Sequence, residues 1–412
     1  MAAVASVRFA RFAWICLDWA ASSFSTVLIT LVVAYVERVV FPAGGWGVEA
    51  GVIWAWTLAA AMLVSAGLAP GAAAWADRRD AHQRAVVVAT GLGVGGLLAL
   101  AAVPPTVRPA VLVMVVTACV GFDLAQIFTG SLLSRIAAAD ADRLSARGFA
   151  AGYAGGAIAL ILATAVVTAH DRLGLDVAGG LRLAFGVTGM WWLVFSLPAA
   201  IARFGAGEAA VHAPTSGREL ITFARHLVTG GDGGGRLAGV LLGSMLALGA
   251  VQTGIAQFTS LAMQRFDLDG PALVRLVLLV QAVALPGALL IGWLSTRFGR
   301  RPAAAVCLGG WLAVLGLGGI VHTPAQLHWL AGLLALVLGG IQSLLRATVA
   351  VLAPPGRTGV TFGLLQVGTK LAGCVASLAF GGLQIATGEP RAGLVALGLQ
   401  IAAAWWLLRR MG

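Results

Sequence analysis

Apolar residues run along this chain in long, nearly unbroken stretches, and polar residues are confined to the short gaps between them. A helix that crosses hydrocarbon needs about 20 mostly apolar residues. Twelve stretches meet that requirement, at 11–36, 49–75, 84–103, 110–137, 148–169, 181–203, 236–264, 270–296, 302–321, 327–352, 358–387 and 391–410. The pattern predicts an all-α membrane protein of twelve transmembrane helices. The first stretch is too long for the apolar region of a signal peptide and has no small-residue cleavage site, so it is expected to remain as the first helix.

The pattern also repeats. Residues 70–79 read PGAAAWADRR and residues 286–301 read PGALLIGWLSTRFGRR, each following the second apolar stretch of its half. Two like halves in a membrane chain are the mark of a secondary transporter. The expected organisation is a six-helix bundle over 1–203, a linker over 204–235 and a second six-helix bundle over 236–412. The linker contains Pro214, Ser216, Arg218, Arg225 and the run from Gly230 to Gly235, broken by Asp232. That run lacks the Gly-Lys-Ser/Thr ending of a phosphate loop and reads as a flexible hinge.

Composition agrees: 59% of residues are hydrophobic and 10% charged, with net charge +11 and a mean hydropathy of +0.94, whereas a soluble domain carries about 25% charged residues. With the N-terminus inside, 18 arginines fall on the cytoplasmic side and 7 on the other. That asymmetry predicts both termini in the cytoplasm. It also explains the net charge through contact with anionic lipid headgroups, so no nucleic-acid partner is needed. Cys16, Cys119, Cys307 and Cys374 all lie in apolar stretches without a CxxC and read as packing residues.

A few charges lie inside the apolar stretches: Asp18 in the first, Asp123 in the fourth, Arg346 in the tenth and Lys370, the chain's single lysine, in the eleventh. A charge at mid-membrane costs at least about 2.5 kcal/mol. Such a group faces a wet cavity or a partner, and the choice lies between a transport site and a packing ion pair. Amides accompany them: Gln126 three residues after Asp123, Gln252 beside Thr253, Gln281, Gln342, and Gln366 four residues before Lys370. Together they describe a polar cavity for a zwitterion or small polar solute, with a buried carboxylate available to bind a coupling proton. At the repeated loops, Asp77, Arg78 and Arg79 in the first copy and Arg297, Arg300 and Arg301 in the second are candidates for a cytoplasmic gate. There the carboxylate would cap a helix or pair with neighbouring bases.

Two strings of small residues, Gly148, Gly152, Gly155, Gly156 and Gly91, Gly95, Gly96, predict close helix approaches. Trp191-Trp192 and Trp405-Trp406 read as interface anchors. The six histidines are scattered, and no HExxH motif, nucleophile elbow or metal-ligand cluster is present, so the chain is not read as an enzyme and no cofactor or metal is expected.

The repeated loops resemble the GxLaDrxGrr signature of the major facilitator superfamily through Gly292, Leu294, Arg297, Gly299, Arg300 and Arg301, and in the first copy through Asp77 and Arg78. Further segments resemble one branch, the vacuolar amino-acid effluxer (autophagy-related) family and its bacterial relatives. They are LDWAASSF at 17–24, GYAGG at 152–156, WWLVFSLP at 191–198, AVQT at 250–253 and GGIQSLLRA at 339–347, followed by Pro354-Pro355-Gly356, Phe362-Gly363 and Lys370. The resemblance implies a twelve-helix fold and export of small solutes, amino acids in the fungal members. The chain is expected to work as a monomer in a bacterial inner membrane. Ala21, Leu248-Gly249, Leu345 and Ala347 replace polar residues of the family pattern. A second reading, a lipid- or amphiphile-handling or assembly protein on the same fold, therefore stays open.

Overall fold

The computed structural model describes residues 2–137, 140–205, 222, 234–266, 270–389 and 391–409. The expected linker lies largely outside the described residues, including Pro214, Ser216, Arg218, Arg225 and Gly230 to Gly233. Gly234 and Gly235 already belong to the helix that follows.

Twelve long helices account for most of the described chain. They are α1 (Ala2–Val27), α2 (Ala50–Arg79), α3 (His82–Ala102), α4 (Arg108–Ile136), α5 (Ala141–Thr168), α6 (Val177–Ile201), α7 (Gly234–Phe266), α8 (Gly270–Phe298), α9 (Arg300–Gly318), α10 (Pro324–Leu352), α11 (Thr358–Thr387) and α12 (Gly393–Leu408). Beyond Val27, α1 continues through two wider π-helical stretches, Leu28–Val32 and Val36–Val40. Among the described residues, eleven helices are long and apolar enough to cross a membrane, and α12 is shorter.

Local chemistry sets several of the ends. Thr323 and Gln326 form a reciprocal capping box with Pro324 in the first turn of α10. The Asp176 carboxylate accepts from the Gly179 amide at 2.7 Å to start α6. Helix α2 stops where Asp80 takes a left-handed conformation, φ 50°, and the matching stop after α8 is Gly299, φ 94°. Pro70, Pro198 and Pro286 lie inside helices, as bundled membrane helices tolerate.

Glycines set how closely the helices pack. A Cβ on Gly155 would collide with the Trp19 carbonyl of α1, and one on Gly152 with the Ser22 hydroxyl at 2.6 Å. The expected α1–α5 approach is thus present. In α3 the expectation needs correction. Gly91 and Gly95 face open space, while Gly93 and Gly96 make the close contacts, Gly93 against Gly121 of α4 and against Trp192. Trp192 is likewise no interface anchor. It is 1% exposed and stacks on Phe24, while its neighbour Trp191 stacks on Trp19. Trp406 is exposed, with the Arg409 guanidinium over its ring. All four cysteines are free, and only Cys374 is exposed.

A methyl on Gly121 would meet the backbone of Gly93, which cannot rotate away. Gly121→Ala is expected to destabilise the fold by about 1–3 kcal/mol, while Gly91→Ala, in open space, leaves it unchanged. Thermal unfolding of the purified protein in detergent checks the contrast.

Contacts between the two halves run through few helices. Helix α11 lies against α2 and α4, α8 against α5, and α10 against α4 and α5. These helices carry the charged residues found inside the apolar stretches, apart from Asp18 on α1.

Candidate functional site

The polar contacts between the halves form a ladder that begins at the arginine-rich end, where α2, α8 and α10 finish and α5 and α11 start. At that end, Asp77 closes α2 onto α11. Its carboxylate accepts the backbone N–H groups of Gly359 and Val360, both at 2.8 Å, and His82 Nε2 lies 3.1 Å from Oδ1. The first N–H groups of a helix have no partner within it, and they carry the positive end of its dipole. A buried carboxylate satisfies both. Asp77 thus caps a helix of the other half, and the bases beside it play a different part. Arg78 and Arg79 are exposed, with Arg79 lying over its own Trp75.

The second copy of the motif closes the same end differently. Arg300 Nε donates to both oxygens of Asp142, at 3.0 and 3.1 Å, joining the start of α9 to the first turn of α5. Arg297 and Arg301 are exposed. Of the six candidate gate residues, Asp77 and Arg300 are seen to make cross-half contacts.

The next rung joins Arg346 to Asp18. Arg346 lies six residues before the end of α10, about 9 Å along the axis. Its Nη1 and Nη2 donate to the two oxygens of Asp18 at 2.8 and 2.7 Å. Nε and Nη2 donate also to the Ser145 hydroxyl and carbonyl at 3.1 and 3.2 Å, and the Ser145 hydroxyl donates to the Ser343 carbonyl at 2.8 Å. The guanidinium carbon lies 4.5 Å from the ring centroid of Trp14 and 4.2 Å from that of Phe149. A forked, bidentate pair between two aromatic faces is the strongest arrangement open to these side chains. Gly148 makes room for it, since a Cβ there would collide with the Asp18 carboxylate.

Above it, Lys370 Nζ lies 2.9 Å from Asp123 Oδ2, and Gln366 Nε2 donates to Asp123 Oδ1 at 3.2 Å. Lys370 is twelve residues into α11, about 18 Å from its start. This pair is held by one oxygen of the carboxylate, and the lysine retains two more N–H donors. It is the looser of the two. Further along, Gln281 of α8 donates to the Thr26 hydroxyl at 3.2 Å.

The remaining amides behave differently. Gln126 is half-buried on the Asp123 face of α4, Gln252 is exposed on α7, and Gln342 donates to its own helix at the Leu338 carbonyl, 3.4 Å away. The structure brings together Asp18 with Arg346, and Asp123 with Gln366 and Lys370. It does not draw Gln252 or Gln342 into either cluster. Ser145, Asp142, His82, Trp14 and Phe149 were missed from the sequence. Asp142 and His82 sit in polar gaps that read as ordinary loops, and nothing in the sequence pairs them with partners on other helices.

The family described as "Vacuole effluxer Atg22 like" matches residues 128–411. The chain belongs to this family. An uncharacterized MFS-type transporter, YxiO of Bacillus subtilis, is 24% identical over 392 residues, 89% of this chain and 86% of the relative. Autophagy-related protein 22 of Cryptococcus neoformans is 27% identical over 292 residues, 62% of this chain, and this chain spans 50% of that relative. Among solved structures, the E. coli fucose:proton symporter FucP matches with TM-score 0.75 at 14% identity, covering 98% of both chains. The human organic anion transporter MFSD10 matches with TM-score 0.72 at 16% identity, covering 98% and 99%. At such identities these likenesses show a shared fold, that of the major facilitator superfamily. This Atg22-like chain is therefore a multi-pass membrane protein and a secondary transporter of a small solute, not an enzyme.

Proposed function

We propose that this Atg22-like protein exports a small zwitterionic solute, an amino acid or a similar organic molecule, across the bacterial cytoplasmic membrane by alternating access. Two six-helix bundles, 1–203 and 236–412, joined by the linker 204–235, rock about a site between them. Both termini face the cytoplasm and the monomer is the working unit, with its basic loops against anionic headgroups. The arrangement described here is the state closed toward the cytoplasm, since the strongest cross-half contacts gather at the arginine-rich end.

The observation that carries this reading is the Lys370–Asp123 pair, 2.9 Å apart near mid-membrane and reaching from one half to the other. A zwitterion presents one carboxylate and one ammonium, the same pair of charges, and can replace each partner's counter-ion without leaving a charge unpaired. Gln366 and Gln126 supply neutral hydrogen bonds, with Gln252 and Gln342 joining as the halves move. Arg346 and Asp18 form the tighter rung beneath. A proton reaching Asp18 or Asp123 would release its base and couple the cycle to the proton gradient.

Uptake of a labelled amino-acid panel into proteoliposomes, with and without a pH gradient, tests the proposal. Saturable, gradient-dependent uptake is expected, lost in Lys370→Ala. A folded protein that moves none of the panel but does move an amphiphile, with Lys370→Ala indifferent, points to the lipid-handling reading instead.

A further inference from the structure

The two seams between the halves at the arginine-rich end differ in charge. At the α2–α11 seam, Asp77 places a carboxylate between the halves. With Asp80 and Gly299 aligned as the left-handed stops of α2 and α8, the position that matches Asp77 at the α5–α8 seam is Thr296. Its hydroxyl turns back and donates to the Trp293 carbonyl of its own helix at 2.9 Å. Helix α8 carries no acid at all.

Bases crowd that seam instead. Helix α8 packs on α5 through Gly292, where an added Cβ would meet the Ala146 side chain, and Arg300 meets Asp142. Arg143 and Arg147 each follow by one residue the positions that touch α8, Asp142 and Ala146, and so lie about 100° further round α5. Trp293 and Arg297 follow Gly292 by one and five residues, about 100° and about 140° round α8. The two helices run in opposite directions, so both displacements turn to the same outer side of the seam. The other side is taken by α10, which Ile291 and Ser145 face. Arg143, Arg147, Trp293 and Arg297 are all exposed. The described acids at this end are already engaged: Asp77 with α11, Asp80 with Arg135, Asp140 with Arg11 and Asp142 with Arg300. Arg143, Arg147 and Arg297 have no ion-pair partner among the described residues.

We propose that this outer face of the α5–α8 seam binds the phosphate of an anionic phospholipid, held by Arg143 and Arg147 from one half and by Arg297 from the other, so that the lipid ties the halves together at that end. This rests on the reading of that end as the cytoplasmic closure. Guanidiniums of like charge on either side of a seam repel one another and favour its parting. A phosphate between them turns the repulsion into charge-assisted, forked hydrogen bonds to both halves. It supplies at this seam the negative charge that Asp77 supplies at the other. The aromatic side chains point to a lipid as the source of that phosphate. Trp293 is 55% exposed and Phe298 58% exposed, with ring centroids 5.9 Å apart and the rings edge to face. Exposed aromatic rings beside bases belong at headgroup depth, where they rest against the lipid below the phosphate. A soluble anion would engage the arginines and leave the rings unused. The anionic lipids of the cytoplasmic leaflet are concentrated at that surface. Scattered basic loops feel the same attraction, but this site draws its donors from both halves and is complete only while they are together.

The full chain in nanodiscs of phosphatidylcholine, alone or mixed with phosphatidylglycerol, tests this with two readouts. The first is the phosphatidylglycerol retained by the protein in native mass spectrometry. Wild type is expected to retain it and the double variant Arg147→Gln, Arg297→Gln to lose it. The double variant Arg84→Gln, Arg203→Gln removes the same charge from exposed positions off the seam and should retain it. The second readout is the rate at which a thiol reagent labels a cysteine placed at buried Val360, in the α2–α11 seam, with Cys374 replaced by serine. Phosphatidylglycerol is expected to slow this labelling about tenfold in the otherwise unaltered chain, to do the same in the Arg84, Arg203 variant, and to leave the Arg147, Arg297 variant unchanged. Inorganic phosphate added to phosphatidylcholine discs should not reproduce the slowing. Equal retention by the two double variants, a labelling rate indifferent to phosphatidylglycerol, or equal slowing by inorganic phosphate overturns the proposal. The comparison of the two lipid compositions in the unaltered chain decides the second readout even where a variant fails to fold. Neither readout depends on transport, so a failed uptake assay would leave the retained lipid standing, and a failed lipid site would leave uptake untouched as the test of transport.

Discussion

Replacing Asp77 by alanine is expected to open the arginine-rich end. The substitution removes two hydrogen bonds from a charged acceptor to the N-terminus of α11 and a third contact from His82. Capping residues are worth about 0.5–2 kcal/mol, and hydrogen bonds to charged groups about 1.5–3 kcal/mol each. The loss falls on one conformation, since water can satisfy the same N–H groups once the halves part. A change of about 3 kcal/mol shifts a two-state balance by roughly a hundredfold, enough to invert a modest preference for closure. Asp77→Asn retains one acceptor oxygen and is expected to fall between. Labelling of single cysteines placed at Val360 and Ala73 checks this: both are enclosed in the closed state, and a thiol reagent should reach them faster in the Asp77→Ala background. Equal rates would show that the carboxylate does not hold this end shut.

The second large effect belongs to the Asp18–Arg346 rung. Truncating Arg346 leaves the Asp18 carboxylate buried beside Trp14 and Gly148 without its counter-ion, and breaking a buried pair in this way costs about 3–5 kcal/mol. Arg346→Ala should lower the thermal unfolding midpoint and abolish transport. Arg346→Lys restores the charge but neither the fork nor the flat face that lies between Trp14 and Phe149, and is expected to recover little. The double variant Asp18→Asn, Arg346→Gln removes both charges together. It should regain much of the stability while remaining inactive. Stability and activity lost and regained in step across the set would assign the pair to packing alone.

The sequence exposed the charged halves of this ladder better than their partnerships. Asp18, Asp123, Arg346 and Lys370 stand out because a charge inside an apolar stretch is costly anywhere in a membrane. That Arg346 meets Asp18, 328 positions away, depends on how the helices pack, and no periodicity encodes it. Asp77 was legible as an acid at the end of a helix, but its partners are backbone N–H groups of α11, which every helix offers. Asp142 and Arg11, the latter paired with Asp140 at 2.8 Å, were hidden because arginines and acids in short gaps or at the edge of an apolar stretch look like ordinary polar ends. Trp192 and the glycines of α3 were misplaced for a related reason. In a chain that is apolar on every side, hydropathy does not tell a lipid face from a packed one, and only the neighbouring helix decides. Gln252 and Gln342 lie on helices that border the site, but their side chains make no contact with either charged cluster.

The most direct test of alternating access is a pair of distances measured by pulsed electron resonance in the full chain, with exposed Cys374 first replaced by serine. Spin labels at positions 143 and 301 span the arginine-rich end, and labels at 173 and 385 span the opposite end; all four side chains are exposed. In wild type a short distribution is expected at the first pair and a longer one at the second. In Asp77→Ala the first should lengthen as the second shortens, the two changing in proportion. If both distributions stay fixed, or only the first broadens while the second is unmoved, the two halves do not rock about the Lys370–Asp123 site and the transport mechanism proposed here is wrong.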